Sequence, residues 1–252
     1  MDTIHVANMG AFIGAAIAIG FGAIGSGWGI GYAGVGAARA MAQQPSQNSS
    51  LFRGMLIGQA VASNPSIFAL VIAILLYSIG ASNELADADN WAKAAALLAA
   101  GISIGIGSMG SGAGNGLVAA DAVEAIARCP QSSGKVTVMM VIGQAMGQTP
   151  VLFSLVISLI LVVNDSDFST YTALSDQIRH AGRLLGMGIC MGAGALGPGL
   201  GSSYIGGKYC DGLARSPESA MDINKAYFIG VGISQSAAVF AFVVALLLMA
   251  GE

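Results

Sequence analysis

Charge is scarce in this sequence: Asp, Glu, Lys and Arg together make up 9% of its 252 residues, against roughly 25% in soluble domains. A surface so poor in charge must mostly face lipid or other apolar helices. No cluster of Lys or Arg exists, so nucleic acid has no electrostatic footprint to bind. The three cysteines, Cys129, Cys190 and Cys210, are odd in number and lie in or beside apolar segments. That fits free thiols rather than a disulfide framework. The phosphate-loop pattern G-x-x-x-x-G-K-[ST] is absent. The start, Met1 to Asn8, carries Asp2 and His5 but no Lys or Arg; it lacks the basic segment of a signal peptide, and the first hydrophobic stretch is expected to stay. Alternation of apolar and polar residues, the mark of spanning barrel strands, is also missing.

What is present is apolar. Hydrophobic residues make up 55% of the chain, the mean hydropathy is +0.73, and there are 37 glycines. Gly embedded in long apolar runs indicates close helix-to-helix packing, because small residues let backbones approach. Six apolar stretches can be read, at about 8–42, 52–80, 91–127, 135–163, 179–214 and 224–250. Each exceeds the roughly 20 residues that span a bilayer as a helix. Three connections, around Gln43–Ser50, Arg128–Gly134 and Arg215–Asn224, are short and contain a Pro, whereas Ala81–Asn90 and Asn164–Gln177 are acidic. Seven cations lie on the Pro-loop side (Arg39, Arg53, Arg128, Lys135, Lys208, Arg215, Lys225) and three on the other (Lys93, Arg179, Arg183). The positive-inside rule then places the Pro loops in the cytoplasm and both termini outside.

Internal repetition decides the architecture. With Pro45, Pro130 and Pro217 as origins, Gly58, Gly143 and Gly230 coincide without a gap, and so do Phe68, Phe153 and Phe240. Before each Pro runs a ladder of alternate glycines: Gly25, Gly27 and Gly29; Gly110, Gly112 and Gly114; Gly197, Gly199 and Gly201. The chain reads as a triplicated hairpin, with units expected at 1–82, 83–168 and 169–252. All three point the same way, which weakens an inverted-repeat transporter. No pair of intramembrane charges supports a secondary transporter either.

These motifs resemble the rotor-ring proteolipids, or c subunits, of rotary F-type and V-type ATP synthases. Gly107 to Pro130 is similar to that family's inner helix, and the loop ends read Ala42-Gln43-Gln44-Pro45, Ala127-Arg128-Cys129-Pro130 and Ala214-Arg215-Ser216-Pro217. Met55-Leu56-Ile57-Gly58-Gln59-Ala60 and Val141-Ile142-Gly143-Gln144-Ala145 resemble its outer helix. The resemblance implies an all-α membrane protein of six helices, a homo-oligomer in a double-layered ring with the Gly-rich helices innermost, set in what would be a bacterial inner membrane. It implies the stator's membrane subunit and a central stalk as partners, the stalk gripping the Pro loops, with Arg128, Arg215 and Glu218 as contacts and Gln43 replacing the family's Arg. No catalytic residue, metal or organic cofactor is expected; nucleotide chemistry would belong to partner subunits.

One residue is missing. The family's ion-carrying Glu or Asp falls eighteen positions after the loop Pro, and here Ser63, Gln148 and Gln235 stand there. None can ionise. The residues that follow, Asn64, Thr149 and Ser236, stand where sodium-binding members carry Ser or Thr, and Asn115 and Ser202 match the inner-helix position at which those members use Gln. Pro65 and Pro150 sit beside the vacancy and free backbone carbonyls; the third repeat has Ala237. Three readings follow. The subunit belongs to a ring that has lost ion transport or shares its ring with acid-bearing c subunits. Alternatively, sodium binds the neutral oxygens of Gln148, Thr149, Gln235 and Ser236, which leaves the ion's charge uncompensated in hydrocarbon. Or the polar side chains are interhelical hydrogen-bond glue. A structural membrane ring or pore scaffold derived from a rotor subunit is the alternative function.

Overall fold

A computed structural model describes residues 6–82, 91–163 and 174–250. Six helices follow in order: α1 (Val6–Gln43), α2 (Asn48–Ala81), α3 (Trp91–Arg128), α4 (Ser133–Val163), α5 (Leu174–Arg215) and α6 (Ala220–Ala250). All six are long and apolar enough to cross a membrane. At 1.5 Å per residue, α1 and α3 with 38 residues each run about 57 Å, nearly twice the hydrocarbon thickness of about 30 Å. Their ends therefore project into the headgroup regions and beyond. Two of the expected hairpin connections are mostly outside the described residues; the boundary at 168–169 lies inside one of them, and that at 82–83 at the edge of the other.

The Pro loops are tighter than their polar composition suggests. Each collapses to one non-helical residue and a single 3₁₀ turn: Gln44 then Pro45–Gln47, Cys129 then Pro130–Ser132, Ser216 then Pro217–Ser219. The residue before each Pro has nearly the same backbone, φ/ψ of −134°/73°, −134°/77° and −136°/73°. A residue preceding Pro is pushed out of the helical region, which stops the incoming helix. Pro itself then presets φ for the first position of the turn that launches the outgoing helix. At the other end, α5 is already helical from Leu174, ahead of the expected apolar stretch at 179, and Asp176 and Arg179 pair at 3.5 Å in its first turns.

The helices form two layers. α1, α3 and α5 lie side by side; α2 seats in the groove between α1 and α3, and α4 in that between α3 and α5. α6 packs on α5 with only slight contact to α4. The interior between the layers is largely alanine, with Leu51, Ile72, Leu97, Ile104, Met140 and Ile157 among its larger fully buried members. α3 is buried along most of its length, whereas α6 buries only Tyr227, Val231, Ala238 and Ala245. Cys129, Cys190 and Cys210 are free thiols.

The glycine ladders set the inner spacing. Two residues along a helix turn about 200°, so alternate glycines face opposite neighbours. Gly25 and Gly29 of α1 face α3, where an added methyl would lie 2.3 Å from the Met109 Cα and 2.1 Å from the Gly112 carbonyl oxygen. Gly112 faces back toward Ser26, while Gly110 and Gly114 face forward onto Leu196 and Gly199 of α5. Gly199 returns the contact at Ser111. On the outermost helices the pattern runs out: Gly27 of α1 and Gly197 of α5 have nothing within 4 Å, and Gly201 meets only Ser234 of α6.

Close packing at these points gives a direct test. A Cβ at Gly116 would lie 2.0 Å from the Gly29 carbonyl oxygen, whereas one at Gly134 meets nothing within 4 Å. Gly116→Val is expected to destabilise the chain in detergent by about 1–3 kcal/mol, as overpacking does. Gly134→Ala should leave its unfolding midpoint nearly unchanged.

Candidate ion-site region at the hairpin junctions

Pro65 in α2 and Pro150 in α4 remain inside continuous helices. A Pro has no N–H, so each leaves the carbonyl four residues earlier without its helical donor. Those carbonyls belong to Val61 and Met146. In hydrocarbon an unsatisfied carbonyl costs several kcal/mol, and no water is present to relieve it. The next hairpin supplies the donor. Gln148 Nε2 donates to the Val61 carbonyl at 3.4 Å, and Gln235 Nε2 donates to the Met146 carbonyl at 2.7 Å. Both glutamines stand eighteen residues after their loop Pro, where the ion-carrying acid was expected.

The pairing is missing at the two outer sides of the chain. Ala237 stands where Pro65 and Pro150 do, so the carbonyl of Ile233 keeps its helical donor. Ser236 Oγ also donates to that carbonyl at 2.7 Å. In the first repeat Ser63 replaces the glutamine, and its hydroxyl folds back on the Ala60 carbonyl at 2.7 Å. Donor and released acceptor are thus present together at both internal junctions and absent together at the chain's two open edges.

The remaining expected positions are scattered. Ser202 donates back to the Pro198 carbonyl at 2.6 Å, and Asn64 and Thr149 are half-buried beside the vacancy. Gln148 and Gln235 each lie at their own hairpin junction. Asn115 is fully buried with both amide atoms unpartnered.

Two further glutamines carry weight that sequence reasoning left inside a motif. Gln144 is fully buried and its Nε2 donates to the carbonyls of Gly58 (3.0 Å) and Asn115 (2.9 Å), joining α4 to α2 and α3. Gln59 makes the matching bond to the Ile30 carbonyl at 3.2 Å. Each stands fourteen residues after its loop Pro, a recurrence that could have flagged them.

At the loop end the charges form a chain across the inner layer. Arg39 reaches Glu124 at 3.9 Å, Glu124 meets Arg128 at 3.7 Å, Arg128 bonds Asp211, and Asp211 holds Arg215 at 2.9 Å. Lys208 and Asp121 pair at 2.9 Å beside them. Arg128, expected to contact a stalk, is therefore engaged within the chain. The loop tips remain accessible at Gln43, Pro45, Arg215, Pro217 and Glu218, with Gln44 and Pro130 half-buried.

Comparison with known proteins follows the same three-fold division. The family model that describes the ATP synthase C subunit matches residues 13–76, 98–161 and 185–248, one segment in each hairpin. Among curated proteins, the ATP synthase c subunit of Petrotoga mobilis is 44% identical over 70 residues, covering 28% of this chain and 73% of that protein. Its namesake in Syntrophobacter fumaroxidans is 51% identical over 65 residues, 26% of this chain and 72% of the relative. That of Desulfosudis oleivorans is 42% identical over 86 residues, 34% of this chain and 90% of the relative.

The proline–glutamine pairing is testable by a double-mutant cycle in detergent. Gln235→Leu is expected to cost about 0.6 kcal/mol, and at most about 1.7 kcal/mol, as intramembrane hydrogen bonds do. Pro150→Ala restores a helical donor to Met146, so the glutamine's contribution should shrink in that background. Strict additivity of the two substitutions would refute the pairing.

Proposed function

The chain belongs to the family of ATP synthase c subunits, and on that premise we propose that it is a rotor-type ring subunit whose ion positions have become fixed hydrogen-bonded locks between hairpins. Members of the family are non-catalytic membrane subunits of the ATP synthase rotor. The observation that carries the proposal is the pair of bonds from Gln148 and Gln235 to carbonyls released by Pro65 and Pro150. Rotary transport needs a group that is neutral in lipid and charged at the stator, and a charge at the bilayer centre costs at least about 2.5 kcal/mol. A carboxamide does not alternate between those states. Its donor here is committed to a neighbouring backbone.

Ring assembly is supported by the two open edges. Phe12, Ile13, Phe21 and Ile24 of α1 are 39–46% exposed, while Leu97 of α3, the counterpart of Phe12, is fully buried. The unused glycines face outward on these edges, Gly27 on α1 and Gly197 on α5. A heterologous contact of this kind, one edge onto the opposite edge of the next copy, generates a ring when the rotation closes. With no carboxylate at the ion-carrying position of any repeat, such a ring either transports nothing or carries acid-bearing c subunits among its members. A structural membrane ring derived from a rotor subunit is the alternative. The Pro loops are read as facing the cytoplasm and the stalk, in a bacterial inner membrane.

The packing between hairpins within the chain supports a specific contact between copies. A Cβ at Gly36 would lie 2.8 Å from that of Ala120, and one at Gly207 3.2 Å from that of Asp121. Both pairs join the residue nine before one loop Pro to the residue ten before the next. Between copies the same step joins Lys208 to Val35, both on exposed surface. With Cys129, Cys190 and Cys210 replaced by Ser, a Val35→Cys, Lys208→Cys chain should oxidise in membranes to a ladder of covalent multimers. Monomer alone under oxidation would argue against neighbouring copies of this chain.

A carboxyl-directed carbodiimide separates the inert reading from a transporting one. At neutral pH no mid-membrane residue of this chain should be modified, and Gln148→Glu should acquire modification. Labelling of a co-purifying chain of the same family would identify a mixed ring. Labelling of a mid-membrane residue in the wild-type chain would sink the proposal.

A further inference from the structure

Arg53 is the one arginine among the described residues bonded to neither an acid nor a carbonyl. The others are committed: Arg39 and Arg128 to Glu124, Arg179 to Asp176, Arg215 to Asp211, and Arg183 to the Leu248 and Met249 carbonyls at the end of α6. Arg53 lines a pocket of about 370 Å³ between the loop ends of α2 and α4, shared with the hydroxyls of Ser46, Ser49 and Ser50 and the amide of Gln47. Thr137 closes the α4 side, its own hydroxyl proton given to the Ser133 carbonyl at 2.9 Å. The pocket therefore presents one guanidinium and several uncommitted neutral donors, with no acid in its lining.

That chemistry fits an anion with several acceptor oxygens, and a planar guanidinium suits phosphate in particular. The position is informative as well. Arg53 lies eight residues past Pro45, about 12 Å along the helix, where headgroups meet hydrocarbon. Membrane-ward of it, Leu56 and Ile57 are 48% and 40% exposed and offer an apolar track. The site is absent from the other hairpins. Val138 takes the equivalent place in the second, and in the third Lys225 is occupied by Asp222 at 3.3 Å. Repetition of the scaffold does not account for it.

We propose that this pocket binds a phosphate group at the loop-side membrane surface, one site per chain. The phosphate can come from an anionic lipid headgroup, with its acyl chains along Leu56 and Ile57, or from free phosphate. Neither source depends on whether the ring moves ions.

The test uses the full-length protein in detergent micelles, with binding read by native mass spectrometry for lipids and by thermal unfolding for inorganic phosphate at matched ionic strength. Dioleoyl-phosphatidylglycerol is the lipid probe and dioleoylglycerol its phosphate-free counterpart. Arg53→Gln should weaken the phosphate-dependent binding by about tenfold or more, the loss expected for a charge-assisted hydrogen bond. Arg53→Lys should retain part of it, and Lys225→Gln should retain all. Arg53-dependent binding of phosphatidylglycerol without a response to inorganic phosphate identifies a lipid headgroup; the reverse identifies free phosphate. Equal binding of the two lipids together with no response to phosphate, or affinities unchanged in Arg53→Gln, overturns the proposal.

Discussion

Backbone contact within the inner layer governs the arrangement of everything outside it. Where Gly29 and Gly116 meet, no Cβ can be accommodated on either helix, so α1 and α3 lie as close as two helices can. In a membrane this proximity is itself the attraction, since lipid tails are as apolar as the helices and association rests on packing. An outer helix set in the groove between two such neighbours is held farther from the next outer helix. α2 and α4 accordingly touch only sparsely, and α4 and α6 less still. The outer layer therefore needs something longer than a methyl group to tie it together. Gln144, Gln148 and Gln235 have that reach, and each ends on a backbone carbonyl of the preceding outer helix.

Much of this was legible in the sequence, and the part that was not has a physical reason. Six spans, their triplication and the registration of Gly58, Gly143 and Gly230 follow from counting, because hydrocarbon thickness and close packing both impose lengths and residue sizes. Helix ends were less legible. Polar residues such as Asn48, Ser49 and Ser133 suggest loop, yet they begin α2 and α4, since a Pro-initiated turn needs no positive φ and leads straight into a helix. Side-chain roles were least legible. Arg128 looks like a free loop cation until Asp211, from the next hairpin, is brought beside it. The freed carbonyls beside Pro65 and Pro150 were predictable, but their donors lie 87 and 89 residues away in the chain. Only the fold brings them together.

The same geometry distinguishes junctions inside the chain from those at its edges. Inside, a proline releases a carbonyl and a glutamine of the following hairpin captures it. At the edges, Ala237 releases nothing and Ser63 turns inward to Ala60. A proline without its glutamine would leave a carbonyl unsatisfied in hydrocarbon. A glutamine without its proline would compete for a carbonyl already bonded. Keeping or losing both together is the consistent solution, and the chain does one internally and the other at its ends.

A site that carries ions and a site that locks helices make opposite demands on one position. The first requires a group whose charge can appear and vanish, so its hydrogen bonds must be released on each passage. The second requires a neutral group whose bonds never open. A carboxamide is nearly the shape of a carboxylic acid but has no dissociable proton at neutral pH, and it adds an N–H donor directed at a carbonyl. Gln148 and Gln235 stand at the acid's position in their repeats and direct that donor at the carbonyls of Val61 and Met146. In the same three hairpins α2, α4 and α6 are bridged at both internal junctions by these side chains, while α1 and α3 meet backbone to backbone at Gly29 and Gly116.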